Sequence, residues 1–293
     1  MPYVSRARPS ATQTFGRVIG FTSLSPYNPL SPILLPWRHR ELVVPLARRK
    51  IASRYRGSTL GFLWAILNPL LMLAIYTFVF SVVFHAKWGL ESTGRSSFAL
   101  YLFSGFILYS VFSDAVNEAP SLLVQNRLYI RQLVFPTELL AWISLISGLF
   151  HFFINTVILT IFYAWVVGPP SPSAILLPLS VAPIILMSLG AIWIISSMGV
   201  YLKDLSHLVG LLTSALLFLS PIFYPASAVP ESLQPIYALN PFVGILENSR
   251  TLLFEHSIPR WETWIRPFVG SWIFAWFGYF FFMKTKEGFA DVV

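Results

Sequence analysis

The sequence predicts an all-α integral membrane protein with six transmembrane helices, an interfacial amphipathic helix before the first span and periplasmic re-entrant helices before the last. Of its 293 residues, 56% are hydrophobic and only 11% are charged, whereas a soluble domain carries roughly a quarter charged residues. The apolar residues fall into several long runs, and Lys and Arg are concentrated in the segments between alternate runs. This pattern is typical of a multi-pass protein with a defined orientation.

Residues 1–36 predict a flexible cytoplasmic extension. They are rich in Pro, Ser and Thr, and the stretch 26–36 alone contains four prolines, so we expect no regular helix there. The extension has no apolar core of the kind found in secretory signals, so we expect no cleaved signal peptide.

Residues 37–59 predict an interfacial helix followed by a glycine-rich turn. Leu46, Ile51 and Tyr55 alternate with basic residues, so one face can enter the membrane while the other meets the headgroups. Pro45 is a point where this helix could be interrupted, and Gly57 begins the turn. The positive charge either only anchors the chain and fixes its orientation, or binds phosphate groups, with which guanidinium pairs well.

Residues 60–293 predict a six-span transmembrane domain. The first run, 60–84, holds no charge over 25 residues, and at about 1.5 Å per residue it crosses a hydrocarbon core of about 30 Å. The second span could continue beyond residue 112 through Asp114 and Glu118. The predicted spans are 60–84, 98–112, 139–167, 174–200, 208–223 and 267–283.

The segments between the spans indicate which side each one faces. Residues 120–136 are bounded by prolines and too polar to span, so we expect a cytoplasmic helix lying across the inner face. Residues 224–266 are broken by Pro235 and Pro241, and their short apolar pieces are typical of re-entrant helices. With both termini cytoplasmic, 15 of the 20 Lys and Arg residues lie inside and 5 outside, as the positive-inside rule requires.

The residue types that carry catalysis or metal binding are sparse. The chain has no cysteine and no G-x-x-x-x-G-K-[ST] loop, so we expect no disulfide and no ATP hydrolysis by this chain alone. The five His residues lack metal-ligand spacing. Only His151 lies inside a span, where it could bond Asn155 four residues later or serve as a structural histidine. Carboxylates are nearly absent from the predicted spans, and Asp114, Glu118 and Glu138 lie at span ends. This disfavours a proton- or sodium-coupled carrier and favours an external energy source.

Aromatic residues form stripes on the first two spans. These stripes either pack in the core and against lipid or line a channel along which sugar rings slide by stacking and C–H contacts. The candidate channel residues are Tyr76, Phe80, Phe84, Phe98, Tyr101, Tyr109 and Phe112.

Three separated motifs resemble those of the ABC-2 type permeases that export polysaccharides, especially the O-antigen permeases (Wzm type) and their capsule and teichoic acid relatives. The stretch 48–70, RRKIASRYRGSTLGFLWAILNPL, is similar to the family's basic helix, turn and first span. NRLYIRQLVFP (126–136) resembles its cytoplasmic coupling helix. Residues 220–254, which contain F-Y-P and L-N-P, resemble its closing external region. The residues that match the first motif are Arg54, Tyr55, Arg56, Gly57, Ser58, Leu60, Gly61 and Trp64.

The resemblance implies a homodimeric half-transporter in the bacterial inner membrane, with each copy binding one cytoplasmic Wzt-like ATPase subunit. The chain itself would be no enzyme and need no cofactor, since ATP and Mg are bound by the partner. The cargo would be a polysaccharide on undecaprenyl pyrophosphate. The implied lipid-head and gate residues are Arg48, Arg49, Lys50, Arg54, Tyr55, Arg56 and Gly61; the coupling residues are Arg127, Tyr129, Arg131, Phe135, Lys203 and Asp204; the periplasmic-gate residues are Tyr224, Pro225, Tyr237, Asn240 and Pro241.

Other functions stay open from the sequence. An ABC-2 exporter of a capsule or teichoic acid glycan, a simple lipid or a drug would share these motifs. A membrane-embedded glycolipid transferase would need carboxylates or His facing a cavity, and the sequence shows only scattered candidates. A scaffold subunit would be distinguished by having no effect on transport.

Overall fold

The computed structural model describes residues 27–83, 95–131, 135–224 and 226–289, and within these ranges the regular structure is entirely helical. The predicted all-α class is therefore confirmed for the described residues. Short 3-10 turns at Gly61–Leu63 and Pro172–Leu176 lead into α3 and α7. The α-helices are α1 Ser31–Arg38, α2 Arg40–Tyr55, α3 Trp64–Tyr76, α4 Arg95–Gln125, α5 Arg127–Arg131, α6 Leu139–Val166, α7 Leu177–Gly199, α8 Leu205–Leu219, α9 Gln234–Tyr237, α10 Pro241–Phe254 and α11 Trp261–Thr285.

Four helical segments among the described residues are long and apolar enough to cross a membrane. They coincide with the first four predicted spans. The fifth predicted span corresponds to α8, which has only 15 residues. The sixth corresponds to α11, which has 25 residues but begins with a polar turn. The integral membrane class is thus supported, and the count of six stays a prediction. The four candidate spans are Gly61–Phe80, Phe98–Gln125, Leu139–Val166 and Pro172–Gly199.

The second span is longer than the 98–112 core predicted for it, because α4 continues through Pro120 to Gln125. The prediction of one separate helix over 120–136 is therefore wrong in its extent. Its first part belongs to α4, and only the five residues of α5 follow. Pro120 is tolerated because α7 packs directly on it: a Cβ added at Gly199 would lie 2.8 Å from the Pro120 Cα.

The expectation of no helix before residue 37 is wrong for residues 31–36, which form most of α1. Pro32 occupies the first turn, where a missing N–H costs nothing. Pro36 leaves the Pro32 carbonyl without its helical donor, and the Trp142 indole donates to that oxygen at 2.9 Å. The Trp272 indole likewise donates to Pro29 O at 2.8 Å. These two bonds fasten α1 to α6 and α11.

The core surrounds α4 and α7, which contact each other and most of the remaining long helices. The largest fully buried side chain of α7, Trp193, donates to the Glu138 carbonyl at 3.1 Å. Elsewhere α7 meets α11 backbone to backbone at Gly190 and Gly278. Large apolar side chains such as Phe153 and Trp165 of α6 are exposed, as expected of a surface that faces lipid.

Candidate functional site

The basic cluster lies on α2, which packs on α6 through Val43 and Ala47. Four of its five cations are exposed: Arg48, Arg49, Arg54 and Arg56.

Lys50, the fifth cation, differs from the prediction. Its ammonium forms an ion pair with Glu118 of α4, and the Ser144 hydroxyl of α6 donates to the other oxygen of the same carboxylate at 2.7 Å. Burial lowers the pKa of Lys50, and the charge of Glu118 opposes that shift. Lys50 therefore joins three helices instead of reaching lipid headgroups.

Tyr55 closes the end of α2 against α6. Its hydroxyl lies 3.0 Å from His151 Nδ1, and its ring packs on Phe62 with centroids 5.5 Å apart. Burial raises the pKa of Tyr55 although Arg54 opposes this, so the phenol stays neutral at physiological pH. His151 thus bonds Tyr55, and among the described residues it makes no hydrogen bond to Asn155.

The turn after α2 depends on two glycines, as predicted. Gly57 has φ +87° and Gly61 has φ +51°, in the left-handed region that other residues adopt only at a cost. Between them the chain leaves α2 and enters the 3-10 turn that leads into α3. The turn therefore holds Arg54 and Ser58 beside the start of α3.

A cleft of about 750 Å³ opens between this turn, α3, α4 and α6. Its wall combines apolar and aromatic side chains, among them Trp64 and Phe106, with an unusual number of polar groups. The polar lining residues are Arg54, Tyr55, Ser58, Asn68, Ser110, Asp114, His151 and Asn155.

Sequence reasoning missed this cleft. It placed Asp114 at a span end and treated His151 and Asn155 as a pair within one helix, whereas the structure directs all three at the same space. The sequence did contain one signal of the cleft, which is the spacing of polar residues within each helix. Ser110 and Asp114 are four residues apart, and so are His151 and Asn155, so each pair shares one face of an apolar helix.

A second, more apolar groove of about 550 Å³ lies on the other side of Tyr55. Tyr55 lines both spaces, so its ring separates them. The residues around this groove are Arg48, Ile51, Ala52, Tyr55, Phe62 and Phe150.

The predicted channel aromatics differ in how deeply they are buried. Tyr76 and Phe80 are half-buried in a cluster with Phe106 and Phe223, and Phe84 lies outside the described residues. Phe98, Tyr109 and Phe112 are buried.

The buried group does not fit the predicted lining role. Tyr109 is 2% exposed, donates its hydroxyl proton to the Thr213 carbonyl and packs on Phe242 of α10, as Phe112 also does. Phe98 lies against Phe80. In this conformation these three rings are core residues of one protomer and do not face an open channel.

Tyr101 has a cation as its neighbour. The Arg250 guanidinium lies 4.1 Å above the Tyr101 ring and donates to the carbonyls of Pro221 and Ile222. The sequence placed Arg250 in an outer loop, but the residue is only 2% exposed. It fastens α10 to the segment after α8.

Four of the predicted periplasmic-gate residues gather around the end of α8. Asn240 caps α10 by accepting from Phe242 N at 3.0 Å, and its amide donates to Leu219 O at 3.1 Å. The rings of Tyr224 and Tyr237 are neighbours, with centroids 6.2 Å apart. Pro241 starts α10, and Pro225 lies outside the described residues.

The predicted coupling residues lie near the C-terminal ends of α4 and α7. Arg127, Lys203 and Asp204 are exposed, and Tyr129 packs on Phe135 with centroids 4.7 Å apart. The contact between Pro120 and Gly199 holds α5 near the α7–α8 turn, so these residues share one end of the molecule. The side chain of Arg131 is outside the described part.

The fold and the site together define a multi-pass helical membrane protein with a polar cleft between its spans, which is the architecture of a membrane permease. The family model of the ABC-2 type transporters matches residues 41–254, and the chain belongs to this family. The predicted family is thereby confirmed. Its members are the membrane subunits of dimeric transporters, and a partner nucleotide-binding subunit hydrolyses the ATP.

Several relatives are named for the export of O antigen or the transport of polysialic acid. The chain is 27% identical to the O-antigen export system permease protein RfbA of Myxococcus xanthus over 259 residues, which cover 88% of this chain and 97% of the relative. A Klebsiella pneumoniae protein of the same name is 24% identical, with 86% and 95% covered. The polysialic acid transport protein KpsM of Escherichia coli is 26% identical, with 71% and 79% covered.

Proposed function

We propose that this chain is the permease of an ABC exporter that moves an O-antigen-type polysaccharide, linked to undecaprenyl pyrophosphate, across the bacterial inner membrane. The observation that carries the proposal is an exposed arginine, Arg54, lining a polar cleft between candidate spans. Similarity to the RfbA permeases over nearly their whole length supports the polysaccharide cargo.

The lipid pyrophosphate binds at the inner interface to the exposed guanidinium groups of α2 and the following turn. Arginine suits this role because its planar fork pairs with two phosphate oxygens at once. Lys50 takes no part, since its charge is paired with Glu118. The binding residues are Arg48, Arg49, Arg54 and Arg56.

Tyr55 and His151 form the gate at this entrance. One hydrogen bond and one ring contact join them, so the Tyr55 end of α2 can move away from His151 at modest cost, about 0.5–1.5 kcal/mol for the hydrogen bond. The Lys50–Glu118 ion pair keeps the rest of α2 in place. The Gly57 and Gly61 turn supplies the hinge. Opening the gate joins the cleft to the apolar groove beside Arg48, which is where a prenyl chain would enter.

The transporter is a homodimer of this chain with two Wzt-like ATPase subunits. Residues 37–59 form the interfacial helix and gate, 60–293 the transmembrane domain, and α8 and α11 complete six spans with both termini in the cytoplasm.

ATP-driven closure of the ATPases pushes α5 and the α7–α8 turn, and the polymer leaves past the residues around α9 and α10. Of the predicted channel aromatics, the half-buried Tyr76 and Phe80 contact the passing glycan. The ATPase contacts are Arg127, Tyr129, Arg131, Phe135, Lys203 and Asp204.

A capsule-type glycan is the second candidate cargo. The observation that favours it is the similarity to the polysialic acid transport protein over 71% of the chain. Both cargoes use the same entrance and differ in the polymer.

The test is the double substitution Arg54→Ala/Arg56→Ala, in a host deleted for the chromosomal gene. We expect surface polysaccharide to fall more than about tenfold, because each lost charged hydrogen bond is worth about 1.5–3 kcal/mol. Lipid-linked polymer should accumulate inside, and the variant should still copurify with the ATPase.

The matched control is Arg260→Ala/Arg266→Ala, which removes two exposed arginines at the start of α11 and should leave export unchanged. Normal surface polysaccharide in the Arg54/Arg56 variant would rule out the lipid-head site.

A further inference from the structure

The inner wall of the cleft carries three polar side chains that the fold itself does not use. Asn68 of α3, Asp114 of α4 and Asn155 of α6 all line the 750 Å³ space. Asn68 and Asp114 are exposed and Asn155 is half-buried. Within the described residues, none of the three side chains has a hydrogen bond or an ion pair. Ser110, beside them, is satisfied by its own helix through Ile107 O at 2.8 Å.

Such groups are costly in a candidate transmembrane helix. A polar group removed from water without a partner loses about 1–3 kcal/mol, and ionisable residues inside spans mark substrate pathways more often than structural positions. Three helices each present such a group to the same cleft, where its polar atoms are open to a ligand. A ligand that satisfies the amides and the carboxylate together accounts for all three.

The three side chains are interleaved with aromatic rings. Trp64 precedes Asn68 by four residues, His151 precedes Asn155 by four, and Phe106 precedes Asp114 by eight with Ser110 between them. Asn68 and Asn155 therefore lie one helical turn, and Asp114 two turns, from a ring on the same face. Carboxylate and amide groups bond the vicinal hydroxyls of a sugar, and aromatic faces pack against its C–H surface. This combination fits a carbohydrate.

The charge arrangement orients that ligand. Arg54 and Asp114 both line the cleft, and their opposite charges interact electrostatically. An anionic group is attracted to the first and repelled by the second, so a second phosphate does not suit the Asp114 position, whereas a neutral sugar does. Within the described residues no group of three His, Cys, Asp or Glu side chains is placed to hold a metal ion.

We infer that Asn68, Asp114 and Asn155 form a binding site for the first sugar of the lipid-linked glycan, the sugar attached directly to the pyrophosphate. This rests on the proposed function for the identity of the lipid carrier. The pyrophosphate occupies the Arg54 end and the sugar lies between α3, α4 and α6. The permease thereby distinguishes a loaded carrier from an empty one before transport begins.

The test compares two kinds of ligand on the full-length permease in lipid nanodiscs. One is a short-chain prenyl pyrophosphate. The others are the same compound carrying a single hexose or N-acetylhexosamine. The wild type should bind at least one sugar-bearing compound about tenfold more tightly than the sugar-free compound. Asn68→Ala and Asn155→Ala should each remove most of that difference while leaving the sugar-free affinity unchanged. Asp114→Asn should also remove most of the difference, but it should bind the sugar-free compound at least as tightly as the wild type because a repulsive charge is lost.

Two controls separate this site from the pyrophosphate site. Arg54→Ala/Arg56→Ala should weaken both kinds of ligand by the same factor. Glu262→Gln, an equally conservative change at an exposed carboxylate of α11, should alter neither.

The outcomes distinguish the two proposals. Wild-type protein that binds all compounds equally overturns the sugar site and leaves the pyrophosphate site intact. Wild-type protein that binds none of them overturns the proposed function as well. A preference that disappears in EDTA assigns Asp114 to a bridging cation and overturns the sugar site.

Discussion

At the scale of single residues, several charges that the sequence places at the membrane surface hold helices together instead. Lys50 pairs with Glu118, and Lys286 reaches Glu138, a fully buried carboxylate, at 2.6 Å. Arg250 fastens α10 to the end of α8. These contacts join residues far apart in the chain, 68 residues in the case of Lys50, so no local pattern predicts them. The exposed arginines and the glycine turn are local features, and the sequence predicts them correctly.

Replacing Lys50 tests the first of these contacts. Lys50→Met leaves the Glu118 carboxylate with Ser144 as its remaining partner, so we expect a loss of about 1–3 kcal/mol in stability. The double variant Lys50→Met/Glu118→Gln removes both charges and should recover most of that loss. Thermal unfolding in detergent measures both. Arg49→Met, an exposed neighbour, should not change the unfolding temperature; equal stability of Lys50→Met and wild type would show that the ion pair contributes nothing.

At the scale of elements, the sequence predicts where apolar helices lie better than where they end. Pro36 and Pro120 both marked expected breaks, and both lie inside helices. The reason is tertiary in each case: the Trp142 indole satisfies the carbonyl that Pro36 leaves free, and Gly199 lets α7 pack directly on Pro120. The cleft was missed for the same reason. Each of its polar pairs is visible on one helix, but their convergence depends on how three helices pack.

The contact between α7 and α11 gives a prediction at this scale. A Cβ at Gly278 would lie 2.7 Å from Gly190 Cα, whereas a Cβ at Gly270 on the same helix meets nothing within 4 Å. Gly278→Ala should therefore force the helices apart and cost at least about 1–3 kcal/mol. Gly270→Ala should be neutral or stabilising by up to about 1 kcal/mol through helix propensity. The yield of monodisperse protein and the unfolding temperature are measured for both variants. Equal values for Gly278→Ala and Gly270→Ala would contradict the close packing of α7 on α11.

At the scale of the whole molecule, the number of membrane crossings determines how the entrance, coupling and exit regions are arranged. The two ends of the molecule carry different groups of predicted functional residues. The basic helix and gate lie at one end of α3, and the Arg250 and Asn240 contacts hold the segment after α8. Whether these regions face opposite sides of the membrane depends on α8 and α11. With 15 residues, α8 rises only about 22 Å, so it crosses a core of about 30 Å only together with the segment that follows it.

Labelling of single introduced cysteines determines how many times the chain crosses the membrane. The chain suits this method because it has no native cysteine. We choose four exposed positions: Ser53 in α2 as the cytoplasmic reference, and Ser206, Ser257 and Glu287 around α8 and α11. If there are six spans with cytoplasmic termini, Ser257→Cys reacts with a membrane-impermeant maleimide in intact spheroplasts, and the other three react only after permeabilisation. Equal reactivity of Ser206→Cys and Ser257→Cys would mean that α8 does not cross, and equal reactivity of Ser257→Cys and Glu287→Cys would mean the same for α11. Protection of Ser257→Cys in intact spheroplasts, in either case, would place the α10 region on the same side as the ATPase and remove it from the polysaccharide exit.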